Sequence, residues 1–129
     1  MNKLLIPVLL AVLVLTACST TSEDSFLREV GVDEAYRLYQ DGTFFLDVRT
    51  PDEWNEFHAP NSTLIPLDEL QSRLDEIPRD QPVVVVCRSG NRSQQGRDIL
   101  LDAGFMQVAS MTGGLKEWNT KGYPTTSGP

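Results

Sequence analysis

The sequence is poor in the residues that mark metal centres, disulfide frameworks and nucleic-acid surfaces. It has one histidine and two cysteines in 129 residues. His58 and a single free thiol, with no second cluster of ligating residues, do not make a metal-ligand set, so no metal site is expected. Basic residues are outnumbered, 11 Lys and Arg against 18 Asp and Glu, for a formal charge of −7. A surface of that sign disfavours nucleic acid and anionic headgroups. Long apolar runs are missing too, with one exception, Leu4 to Leu15, interrupted only by Pro7. Those residues span ~18 Å as a helix, against ~30 Å for a bilayer core. A stable transmembrane helix is thereby excluded, and with the basic start Met1-Asn2-Lys3 the run fits the core of a secretory signal peptide.

The run ends in Leu15-Thr16-Ala17-Cys18, which resembles the lipobox of bacterial lipoproteins. The resemblance implies cleavage between Ala17 and Cys18 and a lipid thioether on Cys18; an ordinary secretory signal is the alternative. Attachment to a membrane would then come from lipid, since loss of Lys3 leaves 10 basic against 18 acidic residues, a charge of −8. The expected location is the cell envelope: the periplasmic face of the outer or inner membrane, or the outer face of the cell membrane where there is only one. Ser19 after the cysteine leans towards the outer membrane. Lipidation also leaves Cys87 as a lone thiol in an oxidising compartment, to be treated as reactive. The small polar stretch from Ser19 to Ser25 has nothing to bury and reads as a tether.

Beyond the tether, 40% hydrophobic and 22% charged residues describe one ordinary globular domain. Strand-like and helix-like segments alternate. Asp33 is placed as the N-cap of a helix through Gln40. Phe44 to Val48 is a strand, and Pro51-Asp52-Glu53 opens a second helix. Thr63-Leu64-Ile65 is a brief strand. Leu70, Leu74 and Ile77 mark one face of a helix over Asp68 to Ile77. Four consecutive valines, Val83 to Val86, predict a strand buried on both sides. Ser93 to Ala103 is helical, Met106 to Ala109 a last strand, and Gly113 to Lys121 a closing helix. The pattern is that of an α/β domain with a mostly parallel central sheet and helices on both faces.

The chemistry concentrates in Cys87-Arg88-Ser89-Gly90-Asn91-Arg92-Ser93. This segment joins the carboxyl end of a buried strand to a helix, where α/β sheets put their ligands. Loop amides and the helix start form an anion cradle. A thiol there, with Arg88 and Arg92 nearby, loses its proton more easily than a free cysteine. Gly90 permits a tight turn with amides inward. A cysteine closing a core strand is commonly just a small apolar residue, but that leaves two arginines and a glycine unexplained.

The segment resembles the active-site loop of rhodanese-like sulfurtransferases, and three further motifs agree. Leu46-Asp47-Val48-Arg49-Thr50-Pro51-Asp52-Glu53-Trp54 is similar to the family's first motif, His58-Ala59-Pro60-Asn61-Ser62 occupies the place of its His-Ile-Pro-Gly-Ala, and Gly113-Gly114-Leu115-Lys116-Glu117-Trp118 looks like its closing Gly-Gly-x-x-x-Trp. The implied division is a signal peptide over 1–17, a lipidated cysteine and tether over 18–28, a rhodanese-like domain over 29–125 and a tail over 126–129. The resemblance implies a sulfurtransferase in which Cys87 takes a sulfane sulfur from a small anionic donor such as thiosulfate and passes the persulfide sulfur to a thiol or protein acceptor. Residues Arg88 to Ser93 would bind donor and persulfide, without a cofactor, in a monomer. Asp47 and Arg49 are expected as a supporting charge pair, His58 as a turn-holding hydrogen bond rather than a base, and Trp118 as a core residue bordering the pocket. Phe57 and Asn61 replace the family's glycines; Asn61 tolerates left-handed backbone, whereas Phe57 is expected to re-aim the turn. Two alternatives stand beside this reading. One is a cysteine phosphatase or arsenate reductase, although Arg92 lies five positions after Cys87 and not six; the other is a non-catalytic binding or sensor module.

Overall fold

The computed structural model describes residues 26–129, so the signal peptide, Cys18 and most of the tether lie outside the described residues. Five parallel strands form one sheet in the order β1-β5-β4-β2-β3. They are β1 (Glu29–Val30), β2 (Phe44–Asp47), β3 (Thr63–Leu64), β4 (Val83–Val86) and β5 (Val108–Met111), interleaved with α1 (Val32–Gln40), α2 (Pro51–Glu56), α3 (Leu67–Leu70), α4 (Asn91–Asp102) and α5 (Gly114–Thr120). None of these helices is long and apolar enough to cross a membrane.

The valine run works as a strand because its side chains alternate between two cores. Val84 and Val86 join Val32, Phe45, Met111, Leu115 and Trp118 beneath α1 and α5. Val83, Val85 and Cys87 join Leu46, Leu70, Leu100 and Phe105 beneath α3 and α4. All four valines are therefore buried, and helices do cover both faces. Gly96 brings α4 close to the sheet: a Cβ there would stand 3.0 Å from Val85 and 3.3 Å from Val48.

Several boundaries differ from the sequence reading. Helix α1 begins at Val32 behind Gly31, and Asp33 lies in its first turn, where its carboxylate takes Lys121 and the Tyr123 hydroxyl at 2.7 and 2.6 Å. The helix expected over Asp68–Ile77 is α3 followed by a separate 3₁₀ turn, Leu74–Glu76. Ser72 bonds the Glu69 carbonyl at 2.9 Å, a local competitor of helix hydrogen bonding. The apolar face was still correctly placed, since Leu70 and Ile77 are buried. Strand β5 starts two residues later than expected: Met106 is 88% exposed, and a bend over 106–107 precedes the strand. The tail is docked: Thr126 exchanges backbone bonds of 2.8 and 2.9 Å with His58, and the Gly128 amide reaches the Asn55 carbonyl.

Trp118 anchors the α1/α5 face. It is fully buried, packs against Tyr36, Tyr39, Phe45 and Tyr123, and its indole N–H donates to the Pro124 carbonyl at 2.8 Å. Trp118→Ala should cost about 3–5 kcal/mol in urea unfolding while leaving the alkylation rate of Cys87 in the folded fraction unchanged; a slowed thiol would show that Trp118 acts on the site.

Candidate active site

Cys87 follows the last residue of β4 and is 1% exposed. Its Sγ accepts hydrogen bonds from the Gly90 amide at 3.1 Å and the Ser93 amide at 3.3 Å. Helix α4 begins at Asn91, two residues before the expected start, because Gly90 turns the chain with φ 104°, a conformation that favours glycine. Ser93 thus sits in the first turn, where backbone amides have no partner within the helix; its N–H is free to point at the sulfur. Burial pushes the Cys87 pKa up, but bonds from the Ser93 hydroxyl and from the amides of Ser93, Gly90 and Ser89 outweigh it and hold the thiol below its ordinary value.

The loop is held from outside by α5. The Leu115 and Lys116 amides donate to the carbonyls of Cys87 and Arg88 at 2.8 and 3.0 Å. So close an approach needs Gly114: a Cβ there would collide with the Arg88 carbonyl, and its φ is +65°. The Gly113-Gly114 pair is therefore a clamp on the Cys87 loop.

The expected cations divide. Arg88 is exposed and has no carboxylate partner among the described residues. Arg92 is not free: its Nη1 and Nη2 grip the two Glu53 oxygens at 2.7 and 2.8 Å. Glu53 also closes a capping box with Thr50 at the start of α2. Asn91 and Ser89 are exposed at the rim, while Gly90 and Ser93 are buried. A pocket of about 340 Å³ opens beside Arg92, walled by Val48, Thr50, Pro66 and Leu67.

The supporting residues behave mostly as expected. Asp47 pairs in register with Val86, one residue before the nucleophile, and binds Arg49 through contacts of 2.7–3.1 Å. Both side chains are buried. Arg49 Nη2 also donates to the Phe57 carbonyl at 2.8 Å. Phe57 has φ −167°, extended backbone open to any residue, so it does not distort the turn, and its ring lies under the Arg49 guanidinium. Asn61 has φ +61°, as a glycine replacement must. His58 holds the turn through Nδ1 and the Trp54 carbonyl at 2.9 Å, with its ring stacked on Trp54. Trp118 is a core residue, as expected, but it does not border the site: it lies in the core on the opposite face of the sheet from Cys87.

Comparison with known proteins agrees with this fold. The family described as Rhodanese-like domain matches residues 31–121. The chain belongs to that family. It is 37% identical over 79 residues to a sulfurtransferase of Allochromatium vinosum, covering 61% of this chain and 74% of that protein. To a thiosulfate sulfurtransferase of Pseudomonas syringae pv. syringae it is 33% identical over 97 residues, 75% of this chain and 91% of that one. The crystal structure of a rhodanese-related protein from Thermoplasma volcanium has a TM-score of 0.72 and 30% identity, covering 78% of this chain and 98% of that one.

Three residues around the nucleophile were missed. Glu53 was legible as a helix-start residue, three after Thr50, but its partner Arg92 is 39 residues away. Ser110 on β5 meets the Ser93 hydroxyl at 2.8 Å, and nothing in its surroundings in sequence marks it. Lys116 is exposed, bonded by its amide to Arg88, and has no carboxylate partner among the described residues.

The Arg92 guanidinium beside Glu53 holds that carboxyl at about 2, from an ordinary 4.5, against the opposing effect of burial and with help from Thr50. A depressed carboxylate adds stability that is present above its unfolded pKa and lost as pH falls through the folded one. Between pH 4.5 and about 2 the wild type should therefore lose more melting temperature than Glu53→Gln; parallel pH slopes would show that the pair adds nothing.

Proposed function

We propose that this protein is a sulfurtransferase in which Cys87 carries sulfane sulfur as a persulfide. The observation that supports it is the Cys87 sulfur under the Gly90 and Ser93 amides, a thiol with a lowered pKa in a cradle for small anions. With thiosulfate as donor, the Cys87 thiolate attacks the outer sulfur. A Cys87 S–S bond forms, the S–S bond of thiosulfate breaks, and sulfite leaves with the electron pair. A nucleophilic acceptor then attacks the terminal sulfur of the persulfide, and the thiolate is restored. The cradle amides stabilise the anionic persulfide between the two half-reactions.

Donor attraction falls to Arg88 and Lys116 in this reading, since Arg92 is neutralised by Glu53. Arg92 instead fixes α2 against the first turn of α4. The small cradle favours sulfur over phosphate: the sequence leaves four residues between Cys87 and Arg92, one fewer than a phosphate loop. Export and lipid anchoring through Cys18, with a thiol or protein acceptor in the cell envelope, belong to the same proposal. Their support is the Leu15-Thr16-Ala17-Cys18 motif.

Incubation with thiosulfate should add one sulfur atom to the intact protein by mass spectrometry. Cyanide should remove it as thiocyanate, and Cys87→Ser should take up none. Hydrolysis of an aryl phosphate that depends on Cys87, with no sulfur adduct, would overturn the reading in favour of a phosphatase.

Arg88→Ala and Lys116→Gln should each raise KM for thiosulfate about three- to tenfold, the effect of about 1 kcal/mol of lost attraction, and change stability by no more than about 0.5 kcal/mol. An unchanged KM in both would place donor attraction elsewhere.

A further inference from the structure

Ser93 and Ser110 are both fully buried. Ser110 lies on β5 between Ala109 and Met111, which face the α1/α5 core, so alternation along the strand turns Ser110 to the face of Cys87. Its Oγ stands 2.8 Å from Ser93 Oγ, and Ser93 Oγ stands 2.9 Å from the Gly90 carbonyl oxygen. No other hydrogen bond of the Ser110 side chain is present among the described residues.

The protons can be counted. Each hydroxyl has one proton to give and two lone pairs to receive. Were Ser93 to donate to Ser110, the Ser110 proton would have no acceptor in a buried setting, and Gly90 would lose its donor, each a costly omission. Only the reverse direction uses both protons: Ser110 donates to Ser93, and Ser93 donates onward into the nucleophile loop. In the structure that second proton goes to the Gly90 carbonyl; the sulfur, already bonded by the amide of the same Ser93 at 3.3 Å, is the other acceptor in its neighbourhood.

We infer that Ser110 is a positioning residue for the nucleophile. By donating to Ser93 Oγ it keeps the single Ser93 proton turned to the loop, bonded to the Gly90 carbonyl while Cys87 is a neutral thiol and to Sγ when Cys87 is a thiolate. A hydroxyl that itself receives a hydrogen bond is the stronger donor, so Ser110 strengthens the bond that Ser93 makes to the anion. Ser110 makes no hydrogen bond to the sulfur among the described residues; it acts through Ser93. The Ser93 hydroxyl is among the groups that lower the Cys87 pKa.

The inference rests on Cys87 as the nucleophile, and its test needs no sulfur transfer. Thiolate formation is followed as the pH dependence of Cys87 alkylation by iodoacetamide, a neutral reagent, in wild type, Ser93→Ala, Ser110→Ala and the double variant. Each replacement removes one oxygen atom and leaves the side-chain volume nearly unchanged. Ser110→Ala should raise the thiolate pKa, cutting the thiolate fraction below the midpoint about two- to fivefold, the equivalent of part of one hydrogen bond. Ser93→Ala should raise it further. The double variant should match Ser93→Ala alone, because Ser110 has no path to the sulfur except through Ser93. A Ser110→Ala titration like wild type, or a double-variant shift equal to the sum of the two single shifts, would overturn the inference. A merely structural Ser110 would lower the melting temperature without moving the titration. Loss of sulfur transfer with the expected titration pattern would instead count against the sulfurtransferase reading.

Discussion

The site depends on which way a few peptide groups face. The Leu115 and Lys116 amides of α5 take the carbonyls of Cys87 and Arg88, so these two carbonyls are drawn outward from the loop. The peptide group of the Arg88 carbonyl carries the Ser89 N–H, which is thereby turned inward and is among the groups that lower the Cys87 pKa; the Gly90 and Ser93 amides, from later peptide groups, meet Sγ directly. A peptide group cannot offer its carbonyl and its N–H on the same side; holding one outward holds the other inward. Gly114 makes the arrangement sterically possible, and Gly90 reverses the chain in time for the first turn of α4 to join in. The cradle is thus braced by a helix that contributes no atom to it. The Gly-Gly near the end of the chain and the cysteine loop form one device.

Charge is handled in the same way, by pairing what must be fixed and leaving unpaired what must attract. Arg49 and Asp47 are buried together. Such a pair is weak evidence for stability, since desolvation offsets most of the attraction. Its clearer role is geometric: Arg49 also holds the Phe57 carbonyl and so ties the end of β2 to the His58 turn. Arg92 and Glu53 tie α2 to α4. Of the cations close in sequence to the nucleophile, that leaves Arg88, and α5 sets Lys116 beside it. On a chain with a formal charge of −7, two cations with no carboxylate partner among the described residues together make a local field of opposite sign, which favours the approach of small anions.

Much of this was legible in the sequence, and the parts that were not share a cause. The Val83–Val86 run declared a buried parallel strand because β-branched residues without polar alternation have few other uses, and the two faces of the sheet accept them alternately. Pro51 with the acids Asp52 and Glu53 marked the start of α2, to which the structure adds a capping box between Thr50 and Glu53. Where tertiary contacts set the boundary, the reading slipped. Strand β1 has two residues and owes its existence to pairing with Ser110 and Met111; a segment that short carries no periodicity. Asp33 looked like a cap and instead binds Lys121 and Tyr123, about ninety residues away. Arg92 looked like a free cation because Glu53 lies in another motif. Nucleophile, loop and supporting pair were visible because each is local; the partners that tune them are contributed across the fold.

The remaining physical question is why a thiol that is 1% exposed should be reactive. Burial alone makes it inert, because removing solvent penalises the charged form, and here burial is the strongest single influence on Cys87. The balance turns on number: one hydroxyl and three amides act together against it. Unlike solvent, the amides are fixed in place and need no reorganisation when the charge forms, and the Ser93 hydroxyl has only to turn. The outcome is a net stabilisation of the thiolate, and such stabilisation is useful only within limits. A thiolate held too strongly is a poor nucleophile, since nucleophilicity falls with pKa, and the best attacking thiol has a pKa near the ambient pH. Opposing burial against a handful of directed hydrogen bonds keeps the sulfur ionisable without making its electrons unavailable. In the proposed function that balance is used twice, once to take the sulfur and once to let it go.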